Sequence, residues 1–292
     1  MPFLKAVRWP KAMSLAISAI VAVLVALLVL HGLLYFAQDR MIFFPQPLGD
    51  AMRAAVFTAQ PDAREIELST ADGQVLRGWL IPNGAGVHEA PTLIYFGGNA
   101  EEVSHLALEA GKLRGISLVL INYRGYGRST GLPSEQAFFS DALAIYDQVA
   151  ALPGVDRKRI IAMGRSLGSG VATYLASQRP VAAVVLVTPY DSMAAVGRGH
   201  YPYLLVDALL RHRFDSASRA RSIDTPMLAI IAGADTIVPP ARGEALAKAW
   251  RGPVTSLVLP GAGHNDVAFY PAYWQAIRQF LGKTVVTPTF MA

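Results

Sequence analysis

The hydrophobic pattern of this chain has two regimes. From position 12 to 38 no side chain carries a formal charge, and 14–36 is almost wholly aliphatic. That run is longer than the ~20 residues that cross the apolar core of a bilayer. It also lacks the polar stripe of a helix packed on a soluble core. Beyond position 60 the pattern changes to short apolar runs separated by amphipathic segments. Strands are predicted at 65–70, 75–81, 92–96, 117–122, 159–163, 181–187, 226–231 and 254–259, with a turn at Asp72-Gly73 joining the first two. Helices are predicted at 100–114, 134–151 with Ser134 as N-cap, 167–179, 240–250 and 267–281. Continuous apolar strands alternating with helices imply an α/β fold, a mostly parallel central sheet with helices on both faces. In such sheets ligands bind beyond the carboxyl ends of the strands, so the residues just after each strand carry the candidate chemistry.

These regimes divide the chain. Residues 1–12 are read as a cytoplasmic N-terminus, 13–37 as a transmembrane signal anchor, 38–60 as a linker, 61–283 as the α/β domain and 284–292 as a tail. Within the domain, 190–222 breaks the strand–helix alternation and is expected to form a small lid-like helical insertion over the site. Lys5, Arg8 and Lys11 precede the apolar run, whereas Asp39 and Arg40 after it cancel each other. The positive-inside rule then keeps the N-terminus in the cytoplasm and carries the domain across. In a bacterium that is the periplasmic side of the inner membrane. A cleaved signal peptide has a shorter apolar core, roughly 7–15 residues. Leu34-Tyr35-Phe36-Ala37-Gln38 also puts bulky residues where cleavage needs small ones. Phe43 and Phe44 are expected either in the membrane interface or docked on the domain.

Composition narrows the partners. The 292 residues are 53% hydrophobic and 16% charged, with a net charge of +5, too apolar for a disordered chain. The absence of cysteine excludes disulfides, thiolate metal sites and a cysteine nucleophile. The positive charge is scattered, without the basic run that tracks a phosphate backbone, so nucleic acid is not an expected partner.

Gly164-Arg165-Ser166-Leu167-Gly168 lies between a predicted strand and a predicted helix. In that context G-x-S-x-G makes a tight turn that lifts the serine Oγ off the sheet. The amides at the helix N-terminus point at the same spot. A hydroxyl needs a base to become nucleophilic, and the base needs an orienting acid. The chain order for such a site is Ser, acid, His. Asp235 follows the 226–231 strand and His264 the 254–259 strand, each in a glycine-containing loop. Taken singly, Asp235 reads as a cap or turn residue and His264 as an ordinary histidine; the shared order and placement make Ser166, Asp235 and His264 the candidate triad. Asp191 is the alternative acid, since it follows the 181–187 strand, whereas Asp224 precedes its strand and Asp266 is two residues from His264. His88, His105, His200 and His212 do not follow core strands, although the last two belong to the insertion. The backbone amides of Asn99, in Gly97-Gly98-Asn99-Ala100 after the 92–96 strand, and of Leu167 are the candidate oxyanion donors. The glycines of 122–129 do not complete G-x-G-x-x-G and lack an acidic ribose partner, so no nucleotide site is read there.

With these pieces assembled, the chain resembles the α/β-hydrolase superfamily. More narrowly, it resembles the membrane-anchored group that includes protein depalmitoylases and bacterial inner-membrane homologues. The resemblance rests on the apolar N-terminal helix, Phe43-Phe44-Pro45, Gly98-Asn99-Ala100, the 123–129 segment, the serine pentapeptide, Asp235 with Val238-Pro239, and Gly263-His264. It implies an α/β-hydrolase fold, Ser166, Asp235 and His264 as the triad, and neither a metal nor an organic cofactor. There are two departures. Gly97 stands where the family often has His, and the cysteine cluster that directs the mammalian depalmitoylases to membranes is absent, so depalmitoylation does not carry over.

The expected function is a serine hydrolase acting on ester or thioester bonds of a small-molecule or lipid-like acyl substrate. A serine peptidase on the same fold and a catalytically silent, membrane-tethered binding protein are the rival readings. Tyr201, Tyr203, Leu204, Leu205, Leu209 and Leu210 are candidates for an apolar acyl pocket, or equally for ordinary core packing.

Overall fold

The apolar run folds as one 32-residue helix, α1 (Lys11–Ile42). In the computed structural model, which describes residues 10–82 and 90–285, most of its apolar side chains are exposed; Leu28 and Phe36 are 73% and 80% accessible. Its Met13–Ile42 portion is long and apolar enough to cross a membrane. Lys5, Arg8, His88 and positions 286–292 lie outside the described residues. The stretch expected as a linker at 38–60 holds the last turn of α1 and a helix that the pattern did not announce, α2 (Asp50–Ala59). Phe43 docks into the core against Phe138, while Phe44 stays exposed.

The domain then runs β1 (Arg64–Ser69), β2 (Val75–Ile81), β3 (Ala90–Phe96), α3 (Ser104–Leu108), β4 (Ser117–Ile121), α4 (Glu135–Val149), β5 (Val155–Arg165), α5 (Leu167–Gln178) and β6 (Ala183–Val187). The insertion contributes three short helices, α6 (Met193–His200), α7 (Val206–Leu209) and α8 (Ser216–Ala220). β7 (Met227–Ala232), α9 (Pro240–Ala249), β8 (Val254–Leu259) and α10 (Pro271–Thr284) complete it. Among the described residues the strands form one sheet, ordered β1-β2-β4-β3-β5-β6-β7-β8. β2 pairs antiparallel with both β1 and β4, and every other pairing is parallel.

Both faces of this sheet are covered, which is why its central strands are apolar throughout. Along β3, Ile94 and Phe96 enter the layer shared with α4, α5 and α9, while Leu93 and Tyr95 enter the layer shared with α2, α3 and α10. β3 has β4 on one side and β5 on the other, so the winding reverses there. A doubly wound sheet opens its ligand crevice at such a point, and the loops after β3 and β5 meet in it.

The helix expected over 100–114 is reduced to α3 and a 3₁₀ turn at Ala110–Leu113. The preceding residues are claimed by a loop in which Glu101 and Glu102 turn inward, to Gly98 and Tyr95 and to Ser104 and Asn122.

Arg124 clamps the β1–β2 turn to α4. Its guanidinium donates to Asp72 at 2.5 and 2.9 Å and to Asp141 at 2.7 Å through two nitrogens. Burial raises the Asp141 carboxyl despite Arg124, whereas the Arg124 hydrogen bond pulls the exposed Asp72 down to about 2. Arg124→Met leaves Asp141 buried without its partner, a change that costs about 3–5 kcal/mol. A thermal unfolding scan should show Tm lower by roughly 10 °C; an unchanged Tm would count against this clamp.

Candidate active site

β5 ends at Arg165 and α5 begins at Leu167, which leaves Ser166 alone in the turn. Its φ of +50° lies in the left-handed region, disfavoured for a residue with a side chain. The two flanking glycines make the turn possible. A Cβ on Gly164 would stand 2.2 Å from the Gly168 carbonyl oxygen, and one on Gly168 2.0 Å from that of Phe96. The turn therefore folds back on itself, and the first turn of α5 lies backbone to backbone against the end of β3.

Ser166 Oγ is 2.8 Å from His264 Nε2, and His264 Nδ1 is 2.7 Å from Asp235 Oδ2. The other carboxylate oxygen, Oδ1, accepts the amides of Ile237 and Val238, both at 2.8 Å. Those two bonds fix the rotation of the buried carboxylate and leave Oδ2 to the imidazole. The His264 loop is held in turn by Asp266, whose Oδ1 accepts the Gly263 amide at 2.7 Å. The three residues picked by chain order thus stand in one hydrogen-bonded chain, with His264 between Ser166 and Asp235. The alternative acid, Asp191, is engaged by Arg242 at 3.0 Å, and Asp224 by Arg251. His105 lies at the surface 3.5 Å from Glu101, and His212 Nε2 is 2.7 Å from Asp39 Oδ1. His200 borders the cavity with Nε2 2.8 Å from the Ile237 carbonyl.

Asn99 and Leu167 border the same cavity as Ser166. Among the described residues no protein acceptor takes the amide of either, as the open first turn of a helix requires for Leu167. Sequence reasoning missed what holds Asn99 in place. The Gly98 amide donates to Glu101 Oε2 at 2.8 Å, and the Tyr123 hydroxyl to the Gly97 carbonyl at 3.0 Å. The Tyr126 hydroxyl donates to the Asn99 carbonyl at 2.6 Å. Burial pushes both phenols up, which keeps them protonated as donors. Where the family often has His at 97, this chain closes the loop with Glu101 and two tyrosines. Arg165, the second residue of the pentapeptide, links the two sides of the site: it donates to Glu101 Oε2 at 2.9 Å and to Asn265 Oδ1 at 2.7 Å. The available signal was the pair of tyrosines in a glycine-rich loop after a strand next to the switch point. Gly125 and Gly127, with φ of +78° and +55°, supply the turns that aim them.

A cavity of about 270 Å³ opens over Ser166. Tyr201, Leu204, Leu209 and Leu210 of the insertion line it, whereas Tyr203 and Leu205 are exposed and do not. Among the described residues there is no cluster of three or more His, Asp or Glu able to hold a metal ion.

Residues 91–208 match the family model of the alpha/beta hydrolase fold. An uncharacterized protein of Mycobacterium tuberculosis is 38% identical over 92% of this chain and 96% of its own length. The alpha/beta hydrolase domain-containing protein 17B of Xenopus laevis is 29% identical, with 67% of each chain covered. Among solved structures, an esterase of Pyrococcus furiosus matches with a TM-score of 0.65 and 20% identity, covering 83% of this chain and 99% of that one; at that identity the likeness is one of fold. The chain belongs to the α/β-hydrolase family, as its motifs implied.

Proposed function

We propose that the protein is a serine hydrolase that cleaves ester or thioester bonds through an acyl-enzyme. The observation that carries this reading is the unbroken relay from Asp235 through His264 to Ser166 Oγ, at 2.7 and 2.8 Å, at the base of an apolar cavity. As Oγ attacks the acyl carbonyl carbon, His264 Nε2 takes its proton and Asp235 stabilises the imidazolium. The carbonyl oxygen becomes an oxyanion received by the amides of Asn99 and Leu167, with the positive end of α5 behind it. The intermediate collapses as the C–O or C–S bond breaks, and the imidazolium protonates the departing alcohol or thiol. Water, deprotonated by His264, then attacks the acyl-Ser166 ester, and the imidazolium returns that proton to Ser166 Oγ as the C–Oγ bond breaks and the carboxylic acid leaves.

Among the described residues lining the cavity none is acidic. The site therefore offers no carboxylate to a peptide's free α-amine, which favours acyl esters over aminoacyl amides. The test is a panel of p-nitrophenyl acyl esters, acyl thioesters and aminoacyl p-nitroanilides. Turnover of the first two and not the third is expected. Anilide hydrolysis faster than ester hydrolysis would move the protein to the peptidases.

Membrane anchoring through α1, with the domain outside the cytoplasm, is part of the same proposal. It rests on the length and apolarity of α1 and on Lys5, Arg8 and Lys11 ahead of it. Alkaline phosphatase fused after Ala292, which folds only where its disulfides form, should be active. A silent fusion beside an active cytoplasmic reporter at the same position reverses the sidedness.

A further inference from the structure

The anchor helix continues past the expected membrane boundary and reaches the catalytic cavity. Leu34, Gln38, Met41 and Ile42 of α1 border the space over Ser166, and their spacing puts them on one helix face. Hydrogen bonds fix that face to the rest of the site. Gln38, 7% exposed, donates from Nε2 to the Leu209 carbonyl at 3.2 Å and accepts the Arg211 amide on Oε1 at 2.8 Å. Asp39 accepts from the Arg211 guanidinium and lies beside His212. Further down, Asn99 Nδ2 donates to the Ile42 carbonyl at 3.3 Å, and the Phe44 amide donates to the Asn99 carbonyl at 3.0 Å. The insertion is thus pinned to α1, and the end of α1 to the loop that carries Asn99.

Helix geometry sets the depth. The uncharged interval from Lys11 to Asp39 rises about 42 Å, and a bilayer with its headgroups is about 40–45 Å thick. Lys11 and Asp39 then mark the two surfaces, and Leu34 lies where the acyl chains of the leaflet meet its headgroups. The cavity opens beside the helix from that level downward. Next to the cavity-lining Leu204, Tyr203 and Leu205 are 95% and 67% exposed, so the chain on that side of the cavity also presents apolar surface outward.

We propose that the cavity takes the acyl chain of a bilayer-resident ester or thioester. The chain passes from the leaflet on the domain's side along the Leu34 and Met41 face of α1 and reaches Ser166 without leaving an apolar surface. Leu34 and Met41, together with Leu209 and Leu210, set the chain length accepted. This rests on the serine hydrolase reading and adds where the substrate comes from.

The test uses the full chain in phosphatidylcholine vesicles, assayed on p-nitrophenyl acetate and dodecanoate. In one arm the total dodecanoate is constant and inert lipid dilutes it within the bilayer. The rate should fall with its surface fraction; a rate indifferent to dilution overturns the proposal. The other arm follows the ratio of kcat/KM for dodecanoate to that for acetate. Leu34→Trp and Met41→Trp should each lower it at least about tenfold, the scale of a one-methylene misfit in an apolar pocket. Leu34→Ala, which removes contact without adding bulk, should lower it by a smaller factor and covers the case of a Trp variant that fails to fold. Leu28→Trp, on the lipid-exposed stretch, should leave it unchanged. If the ratio does not move in the pocket variants while hydrolysis still requires Ser166, the inference fails and the serine hydrolase reading stands. Hydrolysis that persists in Ser166→Ala, or none by the wild type on any ester, removes both.

Discussion

Ser166→Ala is expected to lower kcat on a p-nitrophenyl ester by about 10⁶-fold. The substitution removes only Oγ. Alanine takes the same left-handed turn under the same strain, and the glycine contacts that shape the turn remain. The Asn99 and Leu167 amides and the apolar cavity also remain, so residual catalysis of roughly 10³–10⁴ over water is the floor. KM should move little, because the acyl chain still finds its pocket. Initial rates on purified wild type and variant, with a thermal scan to show equal folding, measure this. A variant that keeps more than a tenth of wild-type kcat points to another nucleophile.

Asp235→Asn should cost about 10⁴ in kcat, for a reason legible in the hydrogen bonds. Asp235 Oδ1 is held by the amides of Ile237 and Val238. An asparagine keeps those bonds only with its amide oxygen in that position, which turns its NH₂ toward His264 Nδ1. Two donors cannot face each other, so the imidazole proton moves to Nε2, the nitrogen that must accept the serine proton. The base is lost while the geometry stays. Kinetics at neutral pH beside a structure of the variant separate the two: low kcat with the ring unmoved is expected, and near-normal kcat contradicts the role given to Asp235.

Several parts of this protein were legible because they are written locally. The strands at β2 and β8 lie where period and apolar runs placed them, and Ser134 caps α4 by accepting the Ala137 amide. The order of Ser166, Asp235 and His264 follows from which strands they end, and a parallel sheet sends every such loop to one edge. Other parts depend on partners far away in the chain. Glu101 is an unremarked acid until Gly98, Tyr95 and Arg165 surround it, and the 123–129 segment reads only as a turn until its tyrosines meet the loop after β3. Gln38 is one polar residue near the end of an apolar run, and its partners at Leu209 and Arg211 lie about 170 positions away. No periodicity encodes that contact. Helix α2 escaped notice because a ten-residue surface helix with one buried residue, Val56, leaves little apolar pattern.

Covalent capture tests the central claim most directly. The full chain is treated with a fluorophosphonate, which phosphorylates a serine only when a base activates it and an oxyanion hole receives the phosphoryl oxygen. Peptide mass spectrometry should find one adduct, on Ser166, with labelling abolished in Ser166→Ala and strongly slowed in Asp235→Asn. An adduct on a different residue, or no adduct on the folded wild-type protein, contradicts the account.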